Sequence, residues 1–277
     1  MEIGVNKPTF SSFDHKTLEQ LNTKIDCSIS IELGLNGLAY AIFHNHQLVA
    51  IEWYNTPLSS LEAVFQKNDW LLKEFASSHI CSTTSKFTLI PHMLFTDDKK
   101  ADYLDFNHRK VDQLYVLTDK IDHIDSVCVY GVSKAEQDIV STFFSKSTFT
   151  HFSTKYIPLL LTENKNLQAK KMLVHITYNQ LHITVTENSS LLFFNLFGYS
   201  NEHDCTYYIL FACEQLNLNP ETIQLEFSGD ISKDSKIYEL VYTYIRHVSF
   251  RKNQQSISPV ITGLENYSHI PLIHQHL

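Results

Sequence analysis

Few residues in this chain have the type and spacing to do chemistry. Glu32-Leu33-Gly34-Leu35-Asn36-Gly37 sets an acid two places ahead of a glycine inside a tight turn. Glycine there lets backbone amides close on an anion such as a phosphate. Ser228-Gly229-Asp230 is a second polar turn, equally suited to starting a helix. With only 7 glycines in the whole chain, little material remains for further phosphate loops. Asp97-Asp98 and the spaced acids Asp119, Asp122 and Asp125 read as solvated loop charges. Glu32 has no obvious companions for the carboxylate cluster a metal-dependent nuclease needs.

Histidines number 15, and His44/His46 and His274/His276 have the His-x-His spacing that puts two rings on one face of a strand. Each pair lies at a turn or near the C-terminal end, without Cys or acid partners, so surface histidines are expected rather than a zinc site. The 5 cysteines (Cys27, Cys81, Cys128, Cys205, Cys213) form no Cys-x-x-Cys pair and read as small buried hydrophobes in a reducing compartment. Neither a Gly-x-Ser-x-Gly elbow nor a Cys/His dyad signature occurs, so acyl transfer has no support.

The elements that position these residues follow a pattern that occurs twice. Cys27–Asn55 reads as strand, turn, strand, turn, strand and then a helix, and Met172–Tyr199 reads the same way. In the first copy Ser28–Ile31 alternates as a half-buried strand, with Leu38–Phe43 and Leu48–Trp53 beside it. Asn36-Gly37 and His44-Asn45-His46 form the turns. A helix is expected over Ser60–Ala76, started by a Ser59/Glu62 capping box. Lys86–Ile90 is expected as a fourth strand stopped by Pro91. A short helix at Asp98–Asn107, strands at Gln113–Asp119 and Ser126–Val132, an amphipathic helix at Lys134–Phe144 and a last strand at Phe149–Phe152 follow. The second copy continues with a helix over Glu202–Leu216, a strand at Thr222–Phe227, a helix at Ser235–Ile245 and a strand at Arg246–Phe250. Leu191–Phe197 is dense enough in Leu and Phe to cover both faces, the mark of a sandwiched core strand. A third strand at a sheet edge that docks a partner is the competing reading. No Pro/Gly/Ser-rich linker separates the halves, so they are expected to pack as one rigid body. The resulting organisation is a lead-in (1–25), a first subdomain (26–165), a second (166–255) and a tail (256–277).

Hydrophobic residues make up 43% and charged residues 19%, enough for a sizeable core, and the formal net charge is −8. No concentrated basic face exists, which disfavours nucleic-acid or acidic-membrane partners. The N-terminus has no basic stretch followed by an apolar one, and no apolar run approaches a membrane span. A cytoplasmic protein without membrane insertion is expected.

The repeated strand-strand-strand-helix-strand-helix-strand order resembles the duplicated ribonuclease-H-like unit of the actin-like ATPase superfamily. The second half, with its Phe-rich third strand and LEFSGD at Leu225–Asp230, resembles the actin-like proteins of pilus assembly and type II secretion. FTLIPHMLF…YLDFNH, from Phe87 to His108, resembles a bacterial domain-of-unknown-function family described as actin-like. These resemblances imply a duplicated α/β fold, each half a mixed five-stranded sheet with flanking helices. Fold alone does not imply function.

An ATPase of that superfamily places an acid at the end of each first strand to position metal and water. Glycines in both following turns receive the phosphates, and a Gly pair after a late strand of the second half receives the adenosine. By that resemblance Glu32, Gly34, Asn36 and Gly37 are the first-half candidates, with Glu where Asp is usual, and Ser228, Gly229 and Asp230 the second-half ones. The equivalent second turn, Ile176-Thr177-Tyr178-Asn179-Gln180-Leu181, has neither acid nor glycine. The expectation is therefore a degenerate actin-like protein with no catalytic residues, no resident ATP/Mg cofactor and no metal. It would act as an interaction or scaffold component through an unidentified protein partner or a homodimer. The alternatives are a nucleotide-binding ATPase or kinase-like protein with ATP between the halves, or an enzyme acting on a small molecule without phosphate chemistry.

Overall fold

Continuous apolar runs build the centre of the first sheet, because strands covered on both faces need no polar alternation. The computed structural model describes residues 7–34, 37–108, 113–177, 179–252, 256–264 and 272. Its elements begin with β1 (Phe10–Phe13), α1 (His15–Leu18), α2 (Thr23–Asp26), β2 (Cys27–Gly34), β3 (Gly37–His44), β4 (Gln47–Asn55), α3 (Leu61–Lys67) and β5 (Ser77–Ser82). Then come β6 (Phe87–Pro91), α4 (Lys100–Asn107), β7 (Tyr115–Ile121), β8 (Ser126–Val132), α5 (Lys134–Phe143), β9 (Thr148–His151) and α6 (Ser153–Glu163). The rest is β10 (Lys171–Ile176), β11 (Gln180–Glu187), β12 (Ser190–Gly198), α7 (Glu202–Gln215), β13 (Gln224–Gly229), α8 (Lys236–Tyr242), β14 (His247–Phe250) and β15 (Ser256–Ile257).

These residues fall into two compact units: those within 7–156 with 256–263 and 272, and those within 157–252 with 264. In the first, the main sheet runs β1-β4-β3-β2-β5-β9, with β15 also on β4. In the second it runs β12-β11-β10-β13-β14. Pairing is antiparallel from the third strand to the first and parallel from the first outward in both, as Ile31 opposite Tyr40 and Ile80, and Val174 opposite Ile183 and Phe227, show. The repeat read from the sequence is therefore a repeat of topology. The first sheet departs from five strands because β1 and β15 lengthen it. The Ser258 hydroxyl donates to the buried Asp14 carboxylate at 2.7 Å and seals that junction.

Lys86–Ile90 does not provide the fourth strand of the main sheet. β6 instead joins a separate three-stranded sheet, ordered β6-β8-β7, and β5 takes the fourth position, parallel to β2. SSHICS carries too little apolar pattern to announce itself; only Ile80 and Cys81 anchor it in the core. Pro91 sits at the end of an edge strand, where its missing N–H costs nothing.

The expected Ser60–Ala76 helix ends at Lys67, and a 3₁₀ turn at Leu58–Ser60 replaces the Ser59/Glu62 capping box. The capping box lies instead at α5, where Ser133 Oγ accepts from Glu136 N and Glu136 Oε2 accepts from Ser133 N. At the β3–β4 turn Asn45 and His46 both have left-handed φ, 47° and 61°. That is the mirror-image turn geometry that matches strand twist.

The second unit packs Val174, Ile183, Val185, Leu225 and Phe227 under Cys205, Ile209 and Ala212 of α7 and Val241 of α8, all buried. Each Val, Ile, Leu or Phe among them adds roughly 1.5–3 kcal/mol in transfer free energy. α7 starts at Asn201, whose side chain accepts from His203 N and Asp204 N.

Candidate functional site

The first-half turn follows from β2 and β3. Glu32 stands half-buried on β2, across from Ala39 of β3 and Cys81 of β5. Gly34 is there for space: a Cβ would come within 2.2 Å of Thr83 Oγ1, and that hydroxyl and the Thr83 N–H both donate to the Leu33 carbonyl. Gly37 has φ +132°, and a Cβ would meet the Tyr54 carbonyl at 1.9 Å. Asn36 lies outside the described residues.

In the second unit the turn after β10 is closed on itself. Thr177 N donates to Gln180 O at 3.0 Å, Tyr199 Oη donates to Thr177 O at 2.8 Å, and Tyr199 N donates to Asn179 O at 3.1 Å. Tyr178 lies outside the described residues. Ser228-Gly229-Asp230 sits against the start of this turn, because Asp230 N donates to Ile176 O at 2.7 Å. Gly229 has φ +89°, and a Cβ would stand 2.0 Å from that same carbonyl. Ser228 Oγ is buried and hydrogen-bonded to His175 Nδ1 at 3.0 Å, while Asp230 is exposed. Within each unit the candidates thus cluster at one turn, Glu32 with Gly34 and Gly37, and Ser228–Asp230 with Thr177.

Two buried polar clusters escaped the sequence reading. Asp119 is no solvated loop acid. It lies on β7 and accepts from His151 N at 2.7 Å, Thr154 Oγ1 at 2.7 Å and Tyr130 Oη at 3.3 Å. Burial raises its pKa against the effect of those donors. His151 Nε2 donates to the Thr84 carbonyl at 3.0 Å, which leaves Nδ1 to accept from the Ser153 hydroxyl at 2.6 Å. Cys128 Sγ lies 3.5 Å from both Nδ1 and Ser153 Oγ. Burial lowers the His151 pKa to about 4 and pushes the Cys128 thiol up.

Serine, histidine and cysteine in contact are the parts of a nucleophilic site. Here all three have 0% exposure, so no substrate atom reaches them, and the cluster braces β7, β8, β9 and α6. Its one sequence trace is the spacing His151-Phe152-Ser153. The second cluster gathers Tyr40 Oη, Tyr54 Oη and Asn68 Nδ2 on one oxygen of Glu52, at 2.7, 2.8 and 2.7 Å. Burial pushes both phenols up.

All 5 cysteines are buried, and none is in a disulfide. His44 is half-buried and His46 exposed at their turn, and His274/His276 lie outside the described residues. Among the described residues no group of three or more His, Cys, Asp or Glu could hold a metal, and no helix is long and apolar enough to cross a membrane.

β12 is not a sandwiched core strand. It forms one edge of its sheet, with Phe193, Phe194, Leu196 and Phe197 half-buried and Leu192 exposed. Nearby in sequence, Tyr207 and Phe211 of α7 are exposed and stack on each other, 5.9 Å between ring centroids.

Two sheets of the same strand order, each led by an antiparallel three-strand meander, define the actin-like ATPase fold. A protein with that fold and unknown function from Bacteroides thetaiotaomicron VPI-5482 matches at TM-score 0.76 and 21% identity, over 84% of this chain and 94% of that one. The PilM–PilN type IV pilus biogenesis complex matches at TM-score 0.60 and 10% identity, over 90% of this chain and 97% of that one. The chain belongs to the DUF3822 family of proteins of unknown function, whose model matches residues 15–248. No curated relative matches it.

Proposed function

We propose that this actin-like protein is a non-catalytic interaction component acting in the cytoplasm, and that its phosphate clasp has been lost. The observation that carries this reading is the closed turn of the second unit. A clasp needs backbone N–H groups directed at the phosphates. Here the Thr177 N–H is spent on Gln180, and the carbonyls of Thr177 and Asn179 are tied to Tyr199. Three of the other candidates have local reasons to be what they are. Gly34 makes room for Thr83, Gly229 lies against Ile176, and Ser228 holds His175. On this reading the chain holds no ATP with magnesium.

Support for the interaction side comes from β12. Its sequence, SLLFFNLFG, has neither charge nor proline, the usual guards of an edge strand. An extended strand from another protein, or from a second copy of the chain, would add to it. The PilM–PilN complex is a precedent for this fold in a protein assembly. Isothermal titration of the full chain with Mg-ATP tests the reading. We expect no binding at millimolar nucleotide. Tight binding that Glu32→Ala abolishes would overturn it in favour of a nucleotide-dependent protein, the reading that half-buried Glu32 at the end of β2 favours.

A further inference from the structure

A groove of about 210 Å³ runs between α5 and the turn that leads into α3, entirely within the first unit. Its apolar surface is Leu58, Ile139 and Phe143, with Ala135 the smallest side chain along it. Phe65 stacks on Phe143 at 5.0 Å and meets Phe144 edge-on at 5.4 Å, which fixes the floor from beneath. A carboxylate stands on each side, Glu62 from α3 and Asp138 from α5, both exposed.

The volume lies below the roughly 300–1,000 Å³ of sites that enclose a cofactor or drug-sized molecule. It suits one or two side chains of a larger partner. Two flanking carboxylates reject phosphate and select a cation. Asp138 has a cation already, Lys134 at 2.7 Å, but both members of the pair are mostly exposed. Such surface pairs are worth about 0–1 kcal/mol, so a partner's lysine or arginine displaces it at small cost. Glu62 accepts only an amide N–H, from Gln66 at 3.2 Å, among its described hydrogen bonds. A second copy of a chain carrying net charge −8 is a poor match for this rim.

We infer that the groove between α3 and α5 docks an amphipathic helix of another protein, through one bulky apolar side chain and a Lys or Arg three or four residues away. The inference rests on the interaction reading above and names the partner chemistry at one surface. In a helix those positions share a face, so the apolar residue enters between Leu58 and Phe143 while the cation reaches Glu62 or Asp138.

The test is selection of a helical-peptide display library on the full chain, followed by affinity measurement of the enriched peptides. Enrichment of an apolar residue with Lys or Arg at i+3 or i+4 is expected. Ala135→Trp, which fills the groove, should weaken the selected peptides at least about tenfold, and Glu62→Lys and Asp138→Lys several-fold each. Thermal melting checks that each variant folds; if Ala135→Trp does not, the two exposed charge reversals decide. Enrichment of nothing, of peptides lacking the cation, or of peptides that bind all three variants like the parent would overturn the inference. Those results leave β12 and the interaction reading standing. Tight Mg-ATP binding lost in Glu32→Ala would instead remove that reading and leave the groove result intact.

Discussion

Replacing His151 by leucine tests whether the cluster beneath β9 is a neutral, pH-sensitive brace. The ring has no exposure, donates to Thr84 O at 3.0 Å, accepts from Ser153 Oγ at 2.6 Å and stacks on Phe87 at 4.6 Å. Leucine fills most of the space but takes the donor from the buried Thr84 carbonyl and leaves the Ser153 hydroxyl only the Cys128 thiol at 3.5 Å, at about 1–3 kcal/mol for each lost hydrogen bond. The expected loss at pH 8 is therefore about 2–6 kcal/mol, a fall in Tm of very roughly 10 °C.

The pH dependence makes the test sharper. Burial lowers the folded-state pKa from 6.5 to about 4. The unfolded chain thus takes up the proton first as pH falls. The stabilisation is complete above 6.5 and drains away as pH falls toward 4, with about 3 kcal/mol at stake at 1.36 kcal/mol per pH unit. At pH 5 about 2 kcal/mol of it is already lost. Asp119 works in the opposite sense, since burial raises its pKa and acid then favours the folded state. Cys128 and Tyr130, both pushed up by burial, do not titrate in this window.

Asp119 is present in both proteins, so the difference between parent and His151→Leu isolates the histidine. That difference should shrink by about 2 kcal/mol between pH 8 and pH 5. Urea titrations followed by tryptophan fluorescence measure it cleanly, because the 2 tryptophans, Trp53 and Trp70, both belong to the unit that holds His151. A difference that stays constant across that range, or grows in acid, refutes the reasoning.

Gly34→Ala should destabilise the first unit by about 1–3 kcal/mol through the 2.2 Å approach to Thr83 Oγ1, and adding Thr83→Ala should recover much of it. Additive losses in urea titrations of the two single variants and the double would show that Gly34 is not kept for packing. In the second unit, Arg251 is 6% exposed and pairs with Glu163 and, at 3.6 Å, with Glu226, which also holds Lys171 at 3.0 Å. Arg251→Ala strands the Glu163 carboxylate and should cost about 3–5 kcal/mol. A change in Tm of under about 1 °C would show the pair to be solvent-screened.

Most elements were legible where one local rule decided them. LGLNGLAYAIF and the Asn45-His46 turn announce a meander, and the helical spacing of apolar residues over Glu202–Leu216 announces α7. The candidate turns were legible as positions but not as environments. Nothing in the sequence says that Thr83 fills the space beside Gly34, or that Tyr199 ties down Thr177 from the far end of the meander.

The sequence by itself determined the repeat, because a strand's period and a turn's residue preference are properties of a few neighbours. Only tertiary structure decided that polar SSHICS is a central strand while apolar KFTLI joins another sheet. A parallel strand is chosen by the partner it finds rather than by its own pattern. Tertiary structure also placed Asp119, His151 and Ser153 within hydrogen-bonding reach across more than thirty positions of chain, and it set β12 at an edge. Burial and edge position depend on what covers a residue, and that is fixed when the sheets assemble.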